Sequence, residues 1–188
     1  REVQPETRDR LGSLAARRLT SLWNRDSGRE DGRLGAAIAA RPDAAARLRV
    51  LAARSRSRDF SSRYLSGRLA QFIAETYEII PAATDALARG ALAEFGLVVD
   101  HSQRLAEECL GNQVPETVTL QRSAREMGAV AASAFGAGFG GSVWAMVPEQ
   151  DAKRFLLRWS AAYRKKHPRP AMDSVFFLSR AGPHAFQW

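Results

Sequence analysis

Six consecutive residues, Gly136 to Gly141, concentrate much of the chemical potential of this sequence, because four of the six are glycine. Such a stretch exposes successive backbone N–H groups and lets a bulky anion approach, which is the physical basis of a phosphate-binding nest. Gly136, Gly138 and Gly141 also satisfy the pattern G-x-G-x-x-G. In dinucleotide-binding folds that pattern follows a strand and opens a helix whose N-terminus faces the pyrophosphate. Here Ser142 to Val147 follow, an apolar run with Val143, Trp144 and Val147, so a strand is expected and the dinucleotide reading fails on context. A Walker A loop fails as well, because no Lys-Ser or Lys-Thr follows the glycines. Two readings remain. The glycines serve positive φ angles and close packing in a hairpin, or they shape a loop for a phosphate or nucleotide. Four glycines in six residues exceed the needs of a turn.

Other reactive residue types lack the spacing that chemistry needs. His101, His167 and His184 fall in a helix, at a helix end and in the tail, without metal-ligand spacing, so no metal site is expected. Cys109 is the single cysteine, which rules out an internal disulfide and a multi-cysteine zinc site. With no His beside it in a motif, it reads as structural and not as a nucleophile. Asp100, Glu107 and Glu108 read as a solvated helix face. Trp144 and Trp159 follow strand and helix periodicity and read as core.

The elements that must position the glycine loop are mostly helices. Residues 1–65 form an Arg- and Ala-rich helical lead-in, with Leu11, Leu14, Ala15, Leu19 and Leu22 at helical spacing, turn chemistry from Asn24 to Gly32, and a helix begun at Pro42 and Asp43. Ser55 to Ser62 is a polar Ser/Arg stretch expected as an exposed loop. An amphipathic helix is predicted from Ser66 to Ala88, kinked or divided at Pro81 and ended by Gly90. Leu92, Phe95, Val98, Val99 and Leu105 line the next, closed by Gly111, and Pro115 to Gly128 bounds another. Ala129 to Phe135 then reads as a strand of small residues, Ser142 to Val147 as a second, and Asp173 to Ser179 as a third. Between the last two, Pro148 opens a helix with Phe155, Leu156, Trp159 and Tyr163 on one face and basic residues Arg164 to Lys166 in its last turn. The fold class is α+β, with 66–188 as the domain that carries the strands.

The 188 residues, 45% hydrophobic and 26% charged, have the composition of a soluble globular chain, and no apolar run reaches the roughly 20 residues that span a bilayer. No membrane partner is expected. A net charge of +8 raises nucleic acid as a partner. The excess is Arg spread through helices, denser only at Arg54, Arg56, Arg58, Arg63 and at Arg164 to Lys166, with no nucleic-acid motif, so none is expected. No signal peptide shows, and the sequence opens at Arg1 and not at Met, which suggests a missing upstream segment; the single cysteine fits a reducing compartment, so a cytoplasmic location is expected.

The segment S-A-F-G-A-G-F-G-G-S, Ser133 to Ser142, resembles the third, Gly-rich signature of galactokinase-like GHMP kinases. Phe95-Gly96 followed by Ser102 resembles the F-G-x(5)-S helix of those kinases. Pro115-Glu116 stands where they have a C-P-E-L turn, and Phe176-Phe177 with Gly182-Pro183 resembles their closing strand and tail. The resemblance runs from about Arg68 to Ala185. Phe135 replaces the usual Thr, Ser142 the usual Cys, Ser133 a frequent Arg and Gln103 a frequent His, which implies a divergent, galactokinase-like sugar kinase.

The resemblance implies a ferredoxin-like antiparallel sheet packed on helices, and a chain that is the C-terminal half of an ATP-dependent sugar kinase. ATP and Mg would be held mainly by the N-terminal domain, which in that family carries the sugar signature, the P-x-G-x-G-L-S-S-S loop and the Asp and Arg beside the reacting oxygen. None of those motifs occurs here, so no catalytic residue is expected in this chain. Its contribution would be Gly136, Gly138, Gly140 and Gly141 for backbone approach to the phosphates, with Ser142 as a hydroxyl donor. The expected partners are the sugar, ATP and the chain's own N-terminal domain. The alternative is a free-standing, non-catalytic binding module with the same fold.

Overall fold

Residues rich in Ala, Leu and Arg and poor in proline favour helix over most of the chain. The computed structural model describes residues 5–28, 34–39, 41–136, 140–180 and 182. Helices α1 (Pro5–Ser27), α2 (Leu34–Ala39), α3 (Ala44–Arg54) and α4 (Ser62–Ala74) come first. The polar stretch before α4 is shorter than expected, because the Ser61 hydroxyl accepts a 3.1 Å hydrogen bond from Tyr64 N–H and starts the helix at Ser62. Phe60 in that stretch is buried and joins the core. Leu19, Trp23, Leu48, Leu65 and Leu69 interlock between α1, α3 and α4.

The α-helix is interrupted just before Pro81. A π-helical turn, Glu75–Ile79, precedes α5 (Ile80–Ala88), and Ile80 N–H reaches back to Glu75 O. Widening the turn just before a proline absorbs the clash of its ring with the preceding turn and its missing N–H. Helix α6 (Leu92–Leu105) runs into a second π-helical turn, Ala106–Leu110, stopped by Gly111. Helix α7 (Pro115–Glu126) ends at Gly128, where Ala129 N–H donates to Ala124 O at 2.9 Å and turns the chain into a strand.

Strands β1 (Ala131–Phe135) and β2 (Ser142–Met146) pair antiparallel, with Ala131 opposite Met146 and Phe135 opposite Ser142. Helices cover both faces. Ala132, Val143, Ala145 and Val147 pack with Leu120, Ala124, Phe155, Trp159 and Tyr163, while Ala131, Trp144 and Met146 pack with Ala86, Phe95 and Val99. Helix α8 (Ala152–Lys166) follows a 3-10 turn, Glu149–Asp151, so it starts one turn later than Pro148 suggested. Its Trp159 Nε1 donates to Leu120 O at 3.0 Å, fixing α8 to α7.

The expected third strand over Asp173 to Ser179 is not formed. A 3-10 turn, Pro170–Asp173, leads into residues 174–180, and no backbone hydrogen bond joins 175–180 to β1 or β2 among the described residues. The apolar run spends only Phe176 on the core, edge-on to Trp159 at 5.5 Å, while Val175 and Phe177 stand 81% and 73% exposed. An apolar run alone does not make a strand when no neighbour takes up its N–H and C=O groups. The sheet of the described residues therefore has two strands, and a ferredoxin-like sheet is not formed by them. Pro183 and His184 lie outside the described residues.

Asp100 is not a solvated face residue either. Its carboxylate takes Arg125 Nε and Nη2 at 2.9 and 2.8 Å, and Gln121 Nε2 at 3.2 Å. Arg125 Nη1 also donates to Ala129 O and Val130 O, both at 2.5 Å. One guanidinium thus joins α6, α7 and the start of β1. The approach is possible because Gly96 on α6 has no side chain: a Cβ there would fall on Val130 O, with Arg125 Nη2 3.2 Å away. Gly96→Ala should therefore lower unfolding free energy by about 2 kcal/mol or more, and Arg125→Met, which strips Asp100 and two carbonyls of their donor, by about 2–4 kcal/mol. Denaturant midpoints of the purified variants against the parent chain check both.

Candidate functional site

Glycine recurs where β1 turns into β2 because the connection uses backbone that L side chains resist. Gly136, Gly140 and Gly141 have φ of +82°, +106° and +94°. A Cβ built on Gly136 or Gly141 would meet nothing within 4 Å, so these residues face open space. The hairpin-packing reading therefore accounts for the φ angles at these two positions and not for the bareness of the loop. Gly138 lies outside the described residues. Ser142, at the start of β2, is exposed beside the loop, as is Phe135 across from it. Of the sequence-predicted site, Gly136, Gly140, Gly141 and Ser142 are thus brought together at the free end of the hairpin.

The loop is held from below by one side chain. Gln103 on α6 is 2% exposed, and its Oε1 accepts from Ala134 N–H at 3.0 Å and from Ser133 Oγ at 3.1 Å, at the end of β1. Its Nε2 donates to Glu107 Oε1 at 3.1 Å and to Gln113 Oε1 at 3.4 Å. Glu107 also takes Arg122 Nη2 at 2.8 Å, so this carboxylate is engaged and not a free surface charge. Glu108 remains exposed. Gln103 figured in the sequence only as a departure from a family pattern. The signal for its burial was nonetheless there, since Phe95, Val99 and Gln103 recur every four residues along one stripe, and an amide on such a stripe implies a buried network.

On the far side of the loop, Val114 precedes α7, and a Cβ on Gly140 would lie 4.0 Å from Val114 Cγ2. The N-terminus of α7 is not itself an open anion site. Pro115 has no N–H, and Val114 N–H donates to Thr117 Oγ1 at 3.2 Å. Cations are scarce as well. Residues 66–188 hold thirteen Lys and Arg against twelve Asp and Glu, and the nearby Arg122 is spent on Glu107. The described loop residues, Gly136, Gly140 and Gly141, themselves carry no charged side chain. Two clefts lie away from the described loop residues: one of about 260 Å³ beside Val147 and Arg158, at the opposite end of the hairpin, and one of about 700 Å³ between α1, α2 and α4.

The remaining reactive residues are structural. His167 stacks on Tyr163 at 5.2 Å, and its Nε2 meets Thr119 Oγ1 at 3.1 Å, tying the end of α8 to α7. Cys109 packs against Gly67 of α4, and burial, aided by the charge of Glu108, pushes its thiol up from the usual range. Among the described residues no group of three His, Cys, Asp or Glu could hold a metal ion. No helix of the structure is long and apolar enough to cross a membrane.

Cys109 should react with a thiol reagent more slowly than free cysteine at neutral pH, with the rate rising at higher pH than for the free thiol, which a pH series of modification rates measures. Gly141→Ala should lower stability by about 1–3 kcal/mol through backbone strain. Gly182→Ala, in open space without a positive φ, should leave the denaturation midpoint unchanged.

Residues 83–165, which contain the hairpin and the helices on both of its faces, match the family model described as GHMP kinases C terminal. A galactokinase of Enterococcus faecalis (strain ATCC 700802 / V583) is 38% identical over 85 residues, which is 45% of this chain and 22% of that protein. The chain thus aligns with about a fifth of the length of this relative. Residues 83–165, which include the glycine loop, thus match the GHMP kinase C-terminal model, and 85 residues of the chain are similar to a galactokinase.

Proposed function

We propose that this chain is the C-terminal half of an ATP-dependent sugar kinase of galactokinase type, and that it closes an active-site cleft with its glycine loop. The observation that carries the reading is the loop itself: Gly136, Gly140 and Gly141 at positive φ, with Gly136 and Gly141 exposed, at the end of a hairpin within the stretch that matches the GHMP kinase C-terminal model. Phosphoryl transfer to a hydroxyl depends on positioning and on stabilising charge spread over the phosphoryl oxygens. Backbone N–H groups of a bare glycine loop suit the first need, and Ser142 adds a hydroxyl beside it. They do not meet the second, since the loop lacks fixed cations. The positive charge, the Mg and the group that orients the sugar hydroxyl belong, in this reading, to an N-terminal domain.

The division of labour explains why the loop is exposed in this chain. A cleft shared by two domains leaves each half of the site open when seen alone. The ferredoxin-like sheet belongs to the same reading, with β1 and β2 as two of its strands and the remainder completed outside the hairpin. Residues 1–65 form a helical lead-in and 66–188 the kinase C-terminal domain. The proposed compartment is the cytoplasm, where nucleotide is abundant and Cys109 stays reduced. Neither nucleic acid nor a membrane enters as a partner.

Titration of the ¹⁵N-labelled chain with Mg-ATP, followed by amide chemical shifts, tests the reading. Shifts should cluster at Gly136, Gly140, Gly141 and Ser142, with a weak Kd of about 1 mM or above, as expected for half of a site. Galactose alone should cause none. Shifts scattered over α1 to α4, or none up to saturating nucleotide, would overturn it.

A further inference from the structure

We infer that Gln103 is the positioning residue of the glycine loop, setting the geometry of its backbone donors from both ends through one buried amide network. The inference rests on the proposed role of the loop in binding phosphate. Nothing in the family comparison assigns it, and at this position the chain departs from the pattern that it resembles.

The Gln103 amide is saturated. It accepts twice, from Ala134 N–H and Ser133 Oγ, and donates twice, to Glu107 and Gln113, at 3.0, 3.1, 3.1 and 3.4 Å. An amide has no more capacity than this. Its orientation is also dictated, because Ala134 N–H needs an acceptor and the Glu107 carboxylate needs a donor. Rotating the amide would break all of these bonds at once.

Each arm ends on a different side of the loop. Ala134 lies two residues before Gly136, so its N–H bond to Gln103 fixes the height at which β1 releases the chain into the loop. The other arm passes through Gln113, whose Oε1 accepts from Thr117 Oγ1 at 3.0 Å, next to Val114. Val114 is the side chain that Gly140 faces at the loop's return. Entry and return are therefore referenced to the same buried group on α6. Fixing glycine backbone carries the largest entropic cost of any residue type, so anchors at Ala134 and beside Gly140 bear on the order of the described loop residues.

Glu107 gives the network a charge. Its carboxylate sits between Gln103 Nε2 and Arg122 Nη2. Gln103→Glu keeps the acceptor for Ala134 N–H but, when ionised, places a second carboxylate against Glu107. When protonated, the same side chain can donate again and mimic the native amide. Gln103→Leu keeps the bulk and removes both functions.

Backbone hydrogen exchange of the full chain without ligand reads the effect directly. Gln103→Leu should speed exchange at Ala134, Gly140, Gly141 and Ser142 by about tenfold or more, with Phe155 and Trp159 amides in α8 unchanged. Gln103→Glu should show fast loop exchange at pH 8 and native-like protection near pH 5, after correction for the intrinsic pH dependence that the parent chain reports. Unchanged loop exchange in both variants, or an equal rise over the whole chain, would overturn the inference. So would a Gln103→Glu loop whose protection does not depend on pH; this arm also decides the matter if Gln103→Leu fails to fold. The readout needs no nucleotide. Loss of Mg-ATP shifts in the parent chain would sink the proposed function while leaving the loop-ordering result standing.

Discussion

The guanidinium of Arg125 is the group on which the arrangement of the second half depends. It sits in the corner where α6, α7 and β1 meet, engaging Asp100 on α6 and the carbonyls of Ala129 and Val130 at the start of β1. A planar cation with five donors can satisfy a carboxylate and two carbonyls together, which a lysine ammonium on a flexible stem does less well. Gly96 is the counterpart of this interaction, because only a bare helix surface lets Val130 O come so close. The strand is thereby fixed to α6, and everything that hangs from its far end takes its position from that attachment.

Five residues further along β1, the same helix provides the second attachment through Gln103. Asp100 and Gln103 lie one turn apart on α6, so a single helix holds β1 near both ends. The described ends of the glycine loop are thus carried by a strand held to one helix.

The first four helices enclose a core of their own, centred on Leu19, Trp23, Leu48 and Leu65. They connect to the hairpin region through the widened turns of the chain. Ser102 Oγ donates to the Glu75 carboxylate at 3.0 Å, Tyr77 Oη donates to Gly35 O at 3.0 Å, and Cys109 lies against Gly67. Both π-helical turns therefore sit at the seam between the two cores. A widened turn shifts the side chains after it around the helix axis, which lets one helical path serve two packing directions.

Read alone, the sequence specified the helices, the hairpin and the loop between its strands. Proline and glycine mark the ends, apolar residues recur every three or four positions, and Gly136, Gly140 and Gly141 stand where the backbone needs positive φ. These are local properties, carried by a residue and its near neighbours. The state of Asp100, the function of Gln103 and the pairing of residues 174–180 were not local. A carboxylate on a helix is solvated or bridged according to what packs over it, and Arg125 lies twenty-five residues away. A short apolar run becomes a strand only when another backbone lies alongside, and here Phe176 found α8 in place of a sheet. Tertiary structure decided these because hydrogen-bonding partners and burial depend on what is brought near in space, which periodicity along the chain does not encode.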